Sequence, residues 1–224
     1  MANLFIFDMD GVIINSEPLH MEVELELRNE LGFFLPEERT HDFVGKSSVN
    51  MWQELREEFG FQPSAESVAQ EGRVRFAEKL KKAPSVEPIP GVSELLDAIG
   101  KFGMPKVLAS SASRFTINVI MDRFGFHHHF EHLISGAELP RSKPDPMIFQ
   151  KACDLMMVSP KRALVIEDSK NGIQAANDAG CFAIGFRDEG YNHQDLTQAD
   201  LVVDRMADLL VEEDGIPLFG RILS

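Results

Sequence analysis

Short apolar runs alternate with segments of helical period along most of the chain. The runs predict six strands, at Leu4–Phe7, Lys106–Ala109, His132–Ser135, Ala163–Ile166, Phe182–Phe186 and Leu201–Val203. The segments between them predict helices at Val92–Phe102, Arg114–Arg123, Asp145–Met157 and Gly172–Ala179. Strands that alternate with helices are typical of a parallel sheet covered by helices on both faces. We therefore expect an α/β fold with three layers.

The stretch between the first strand and the others has a different pattern. It predicts helices at His20–Leu31, Val49–Phe59 and Ala65–Leu80, with only a doubtful strand at Phe33–Leu35. Three prolines between positions 84 and 90 mark a stiff linker after these helices. The predicted architecture is a Rossmann-like parallel core formed by residues 1–14 and 86–224, interrupted by an all-helical domain at residues 15–85.

The composition is that of a globular protein, because 44% of the 224 residues are hydrophobic and 26% are charged. The formal net charge of -14 disfavours nucleic acid, whereas a small anion can still bind beside a local lysine. The apolar stretches are shorter than the roughly 20 residues of a membrane span, and no basic region precedes the first strand. We expect a cytoplasmic protein, monomeric or weakly oligomeric, in which Cys153 and Cys181 are buried reduced thiols.

Seven polar residues follow predicted strands or lie in an adjoining loop. They are Asp8, Asp10, Ser110, Ser111, Lys143, Glu167 and Asp168. Because ligands gather at the carboxyl ends of parallel strands, we expect these side chains to share one pocket. Carboxylate oxygens suit a hard cation, and a phosphate can bridge such a cation and a lysine. The sequence therefore predicts a site for a divalent cation and a phosphate.

Four short motifs contain these residues in a fixed order. They are Asp8-Met9-Asp10-Gly11-Val12, then Ser110, then Lys143-Pro144, and finally Glu167-Asp168-Ser169 with Asn171-Gly172. In this order they resemble the motifs of the haloacid dehalogenase superfamily, and the resemblance covers nearly the whole chain. It is strongest to the branch of β-phosphoglucomutase-like enzymes and sugar-phosphate phosphatases, whose small helical cap the helical insertion resembles.

The resemblance implies a role for each of the core residues. Asp8 would be the nucleophile that forms an aspartyl-phosphate, and Asp10 would be the general acid and base. Mg²⁺ would be held by Asp8, the backbone carbonyl of Asp10 and Asp168, with Glu167 as an outer-shell or alternative ligand. Lys143 would neutralise both Asp8 and the phosphate.

Further substrate contacts are implied outside the acids. Ser110 and the N–H groups of the turn that begins at Ser111 would hold the phosphoryl oxygens. His20 matches a histidine that β-phosphoglucomutase-like enzymes place over the active site, and an exposed helix residue is an equally good interpretation. The loop that contains Lys46 suits a substrate anion, and its alternative is a plain connection between helices.

Two departures from the mutase pattern favour a phosphatase. Ser48 stands where mutases carry an arginine for the substrate's second phosphate, and Asn15 stands where the family often has an acid. We predict a Mg²⁺-dependent phosphatase of a small phosphorylated metabolite such as a sugar phosphate. A phosphomutase is the alternative, and a non-catalytic protein that binds phosphorylated metabolites is a third hypothesis. The triplet His127–His129 is interpreted as a solvated helix end, because adjacent histidines cannot all face one ion.

Overall fold

The computed structural model describes residues 3–36, 39–40, 43, 48–82, 86–187 and 194–222. The chain divides into two compact units. The first, which we term the α/β unit, comprises Met1–Asn15 and Glu87–Ser224. The second, which we term the helical unit, comprises Ser16–Val86.

A six-stranded sheet forms the centre of the α/β unit. Its strands are β1 (Leu4–Phe7), β4 (Lys106–Ser110), β5 (His132–Ser135), β6 (Ala163–Glu167), β7 (Phe182–Phe186) and β8 (Leu201–Val203). The sheet is parallel throughout, in the order β5-β4-β1-β6-β7-β8. All four residues of β1 are fully buried, as expected for a central strand covered on both faces. The predicted α/β fold with a parallel sheet is confirmed.

Helices flank this sheet. Those of the α/β unit are α4 (Val92–Lys101), α5 (Arg114–Phe124), α6 (Met147–Met156), α7 (Lys170–Ala179) and the short α8 (Leu218–Arg221). One layer of the core joins α6 and α7 to the sheet through buried side chains such as Phe149, Ile173 and Val165. No helix among the described residues has both the length and the apolar character needed to cross a membrane.

The register of the central strands determines where the polar residues lie. Phe7 of β1 pairs with Leu108 of β4 on one side and with Ile166 of β6 on the other. Asp8, Ala109 and Glu167 therefore lie level with one another, at the edge of the sheet where the three strands end. Since β4 and β6 lie on opposite sides of β1, this edge is a topological switch point, where α/β sheets bind ligands.

Two minor antiparallel pairs complete the α/β unit. Strands β2 (Ile14–Asn15) and β3 (Glu87–Pro88) pair where the chain leaves and re-enters this unit. Strands β9 (Glu212–Glu213) and β10 (Ile216–Pro217) form a hairpin near the end of the chain. The first pair joins the two connecting segments side by side.

The helical unit consists of α1 (Glu17–Leu31), α2 (Ser48–Phe59) and α3 (Ala65–Leu80). Helix α3 packs against both α1 and α2. Lys79 of α3 binds two carboxylates of α1, with Nζ 2.6 Å from Glu22 Oε1 and 2.7 Å from Glu26 Oε1. The doubtful strand at Phe33–Leu35 is wrong, because Phe33 lies in a connecting segment and stacks on Phe59 with ring centroids 4.4 Å apart.

Of two other sequence interpretations, that of the cysteines is confirmed, whereas that of the histidine triplet holds for two of its three residues, because the His129 side chain is only 11% exposed. Cys153 and Cys181 are free and buried, with their sulfur atoms 3.9 Å apart. His127 and His128 are exposed in a 3₁₀ turn, where His127 Nε2 lies 2.9 Å from Asp122 Oδ1 and His128 Nδ1 lies 2.8 Å from a backbone carbonyl. These contacts are typical of a solvated helix end.

Candidate active site

Lys143 joins the ends of three strands at the switch point. It arrives from the loop between β5 and α6, and its side chain is only 6% exposed. Its Nζ donates to Asp8 Oδ1 at 2.5 Å, to Glu167 Oε1 at 2.7 Å and to the Ala109 carbonyl at 3.0 Å. The ring centroid of Phe149 lies 5.0 Å from the same nitrogen, a cation–π distance. One ammonium group therefore fixes two carboxylates that are far apart in the sequence.

The second oxygen of Glu167 is held by Ser169, the residue that caps the N-terminus of α7. Glu167 Oε2 accepts hydrogen bonds from the backbone N–H of Ser169 at 2.9 Å and from its hydroxyl at 2.8 Å. The same hydroxyl oxygen accepts from the N–H of Gly172 at 3.0 Å and so caps the helix. Both oxygens of the Glu167 carboxylate are therefore held, one by Lys143 and the other by Ser169.

Negative charge is in excess at this edge of the sheet. Burial, only partly offset by Lys143, raises the pKa of Asp8 to about 7. Burial, together with the charges of Glu167 and Asp8, raises the pKa of Asp168 well above its usual range. Burial alone would lower the pKa of Lys143, but the adjacent carboxylates outweigh it and raise that pKa. The acids are thus held under repulsion that a further positive charge would relieve.

The donor set fits a hard divalent cation. Carboxylate oxygens of Asp8, Glu167 and Asp168 lie within 4.8 Å of one another. Asp10 is half-buried two residues after Asp8, and its charge contributes to the raised pKa of both Asp8 and Asp168. Oxygen ligands and uncompensated negative charge are what Mg²⁺ selects in proteins. Asp8 and Asp168 could hold such a cation, whereas both oxygens of Glu167 are engaged by Lys143 and Ser169.

Gly11 gives Asp168 the space it occupies. This residue turns the chain after Asp10 with φ at +78°, which is left-handed backbone that favours glycine. A Cβ atom at this position would overlap the carboxylate of Asp168. The first and fourth motifs are therefore in steric contact, which the sequence alone does not show.

A hydroxyl-rich loop follows β4. Ser110 is fully buried, and its hydroxyl oxygen accepts from the N–H of Ala112 at 3.0 Å. Ser111 is exposed, and Ser113 caps α5 by accepting from the N–H of Thr116. The loop thus ends at a helix N-terminus, where backbone N–H groups favour an anion.

Sequence reasoning missed Ser135. It ends β5 beside Ser110 of β4, and its hydroxyl donates to the Ala112 carbonyl at 2.7 Å. This hydrogen bond fixes the loop that follows Ser110. In the sequence Ser135 ends one predicted strand and Ser110 follows another, but only the register of the two strands shows that the serines are neighbours.

Two substrate-binding residues were predicted in the helical unit, His20 and Lys46. His20 lies on α1, where it is exposed and its ring stacks on Phe76 with centroids 4.0 Å apart. Lys46 lies outside the described residues, as do Gly45 and Ser47. Ser48 is the first residue of α2. The roles predicted for His20 and Lys46 stay predictions.

Comparison with protein families identifies the family to which the chain belongs. The family described as "Haloacid dehalogenase-like hydrolase" matches residues 5–186. The chain belongs to this family. The match includes every acid of the site together with Lys143, so the resemblance found from the motifs is confirmed, as is the interpretation of the protein as a hydrolase of this family.

Individual members of the family give more detail. The "Phosphorylated carbohydrates phosphatase" of Thermotoga maritima is 29% identical, covering 78% of this chain and 80% of that protein. The "Phosphoglycolate phosphatase" of Chromobacterium violaceum is 26% identical, covering 91% and 92%. The structure of β-phosphoglucomutase from Clostridium difficile is 24% identical, with a TM-score of 0.75 over 93% of each chain. It shows that the folds are the same.

The raised pKa of Asp8 predicts that stabilisation of the protein by a divalent cation depends on pH. A carboxyl whose folded-state pKa is raised favours folding at low pH, and this contribution is lost as the pH rises through about 7. The cation relieves repulsion above that pH and competes with protons below it. We therefore expect Mg²⁺ to raise the Tm by several degrees at about pH 8 and by much less at about pH 5.5.

Asp168→Asn is the matched variant for this measurement. It keeps the size of the side chain and removes a carboxylate that is placed to hold the cation. Thermal unfolding with Mg²⁺ and with EDTA should show a clearly smaller Mg²⁺ effect in this variant. An equal rise in Tm in both proteins would exclude Asp168 as a ligand.

Proposed function

We propose that the protein is a Mg²⁺-dependent phosphatase that hydrolyses a small phosphorylated metabolite, with sugar phosphates as the first class to test. The observation that carries this proposal is the contact of Lys143 with Asp8 at the carboxyl edge of the sheet. It places a carboxylate and an ammonium where a phosphoryl group would meet both. The family relationship supports hydrolysis, and the relatives named as phosphatases of carbohydrates and phosphoglycolate support a small phosphate ester.

Asp8 acts as the nucleophile in this mechanism. One of its carboxylate oxygens attacks phosphorus and forms an aspartyl-phosphate, while the bond from phosphorus to the ester oxygen breaks. Asp10 gives its proton to the departing oxygen and then takes one from the water that attacks the aspartyl-phosphate. That second attack releases phosphate and restores Asp8. Both displacements occur at phosphorus.

The other residues hold the phosphoryl group and balance its charge. The Lys143 ammonium offsets charge on Asp8 and on the phosphoryl oxygens as they approach each other. The Ser110 hydroxyl and the N–H groups of the following turn bind phosphoryl oxygens. Asp8 and Asp168 would hold Mg²⁺, which would supply positive charge against the repulsion between the nucleophile and the phosphate dianion. Glu167 keeps Lys143 in place.

The direct test is release of inorganic phosphate. Purified protein is assayed with p-nitrophenyl phosphate and a panel of sugar phosphates, with Mg²⁺ and with EDTA. We expect Mg²⁺-dependent release that differs between substrates in kcat/KM. Formation of hexose 6-phosphate from hexose 1-phosphate would instead indicate a phosphomutase. Saturable binding of a phosphate ester without turnover would indicate a non-catalytic protein.

We propose that the helical unit acts as a cap that selects the substrate. Its predicted contacts are His20 and Lys46, while phosphate affinity comes from the α/β unit. The expectations of a cytoplasmic location and of a monomer or weak oligomer stay predictions from the sequence.

Lys46→Ala tests the specificity role. Because p-nitrophenyl phosphate lacks the polar groups of a metabolite, we expect KM for the best sugar phosphate to rise about 10-fold and KM for p-nitrophenyl phosphate to change less than about 3-fold. Lys82→Ala, an exposed lysine of the same unit, is the control. Equal effects of Lys46→Ala on both substrates would exclude a role in selecting the substrate.

A further inference from the structure

Gly172 occupies a position where local rules favour another residue. It is the third residue of α7, and its backbone is ordinary right-handed helix that any L-residue adopts. Alanine is the stronger helix former at such a position, because it loses less backbone entropy. Neither a turn nor a positive φ accounts for a glycine here. The reason must lie in what its Cα atom touches.

The carboxylate of Glu167 lies directly on that Cα atom. A Cβ atom at position 172 would fall within 3.0 Å of the carboxyl carbon and of both oxygens of Glu167, closer than real Cβ atoms come. The overlapping atoms are the end of the Glu167 side chain, so the cost of a methyl group depends on whether that end can move. A methyl group at position 172 and the present position of Glu167 are therefore incompatible.

The Glu167 side chain has no room to move away from position 172. It is 1% exposed, and its two oxygens are held by Lys143 on one side and by Ser169 on the other. Helix α7 is held as well, because Ile173 and Ala176 are fully buried in the core against which it packs. A displacement of Glu167 must break at least one hydrogen bond of a buried charge, which is costly.

The contacts continue to the proposed nucleophile. The Lys143 nitrogen donates to Glu167 Oε1 at 2.7 Å and also to Asp8 Oδ1 at 2.5 Å. The chain of contacts therefore runs from the bare Cα of Gly172, through Glu167 and Lys143, to Asp8. A shift of about 1 Å at a catalytic group can lower the rate about 100-fold.

We propose that Gly172 is a positioning residue: the space left by its missing side chain is occupied by the Glu167 carboxylate, which in this position holds Lys143 against Asp8. We term this space the seat of Glu167. The part of this inference that concerns rate rests on the proposed phosphatase function. The part that concerns the seat does not, because it predicts an effect on the stability of the protein without cation or substrate.

The experiment compares Gly172→Ala in two backgrounds. In the native background we expect the Tm in EDTA to fall by about 5 °C or more and kcat to fall about 30-fold. In the Glu167→Asp background the acid is one methylene shorter, which makes room for the methyl group. There Gly172→Ala should change the Tm by less than about 2 °C and kcat by less than about 3-fold.

Gly72→Ala is the matched control. Gly72 lies inside α3 with ordinary helical backbone, and a Cβ atom there would meet only the end of the Leu27 side chain at 3.3 Å. This substitution should leave the Tm within about 2 °C of the native value or raise it, as the better helix former predicts. It separates the steric effect of Gly172→Ala from the general effect of replacing glycine in a helix.

Either of two results would overturn the inference: a native Tm for Gly172→Ala, or the same loss in the Glu167→Asp background. Should Gly172→Ala not fold, Glu167→Ala in the same chain should restore folding, and continued failure would likewise overturn it. If the native protein hydrolyses no phosphate ester, the Tm values in EDTA still decide whether the seat exists. Failure of the proposed function and failure of this inference are therefore distinguishable.

Discussion

Asp8→Asn is expected to abolish phosphate release while making the cation-free protein more stable. The amide keeps the shape of the side chain but cannot attack phosphorus, so kcat/KM should fall by about 10⁵-fold. Burial raises the pKa of Asp8 to about 7, so at higher pH the folded state contains a carboxylate that would be more stable in water. Removing that charge should raise the Tm in EDTA at about pH 8 by about 5 °C.

The raised pKa of Asp8 determines how the gain in Tm of Asp8→Asn should vary with pH. A folded-state pKa above the unfolded one means that stability is lost as the pH rises through about 7. The gain in Asp8→Asn should therefore be larger at about pH 8 than at about pH 5.5, where the native carboxyl is already protonated. Asp154→Asn, at an exposed residue of α6, is the control for a change of net charge. A variant that retains phosphate release would exclude Asp8 as the nucleophile.

Lys143→Ala is expected to have the largest effect on stability. Its removal leaves Asp8 and Glu167 buried without their shared cation, and breaking a buried ion pair from one side costs about 3–5 kcal/mol. For a chain of this length that corresponds to a fall in Tm of roughly 10 °C. Phosphate release should fall at least about 10³-fold, because the charge that offsets both nucleophile and phosphate is lost. The measurements are thermal unfolding and initial rates.

Low pH should reduce the penalty of this variant. Protonation of the Asp8 and Glu167 carboxyls, which have lost the lysine, removes the repulsion between them. The fall in Tm should therefore be smaller at about pH 5.5 than at about pH 8. Lys151→Ala, an exposed lysine on α6, is the control and should stay within about 0.5 kcal/mol of the native protein. A loss in Lys143→Ala that does not depend on pH would mean that the lysine contributes through packing and not through its charge.

The strands were the most predictable part of the fold, and the ends of the helices the least. Strands β1, β5, β7 and β8 begin and end where predicted, and β1 gives the clearest reason, because it is apolar and buried along its whole length. Helix α1 begins at Glu17, three residues before the predicted start, and α6 begins at Met147, two residues after it. Such ends depend on single hydrogen bonds, such as that from the N–H of Met147 to the Asp145 carboxylate.

The acids of the site could be found from the sequence, whereas the way in which they are held could not. Asp8 and Asp168 stand out because polar residues at the exits of apolar strands point to a shared edge. Glu167 was expected as an outer-shell or alternative ligand of the cation. Its hydrogen bonds to Lys143 and Ser169 make it the residue that orients the lysine, and this depends on which oxygen faces which donor.

The parallel α/β fold, the family and the edge of the sheet that contains the polar strand ends can all be predicted from the residues in order. The hydrophobic period and the order of the polar strand ends are local patterns, so they can be recognised in the sequence without the three-dimensional structure. Only the tertiary structure decided that Ser135 braces the loop of Ser110 and that Gly172 must lack a side chain. Both depend on atoms brought together from different strands and helices, and such contacts follow from register and packing, which no local pattern encodes.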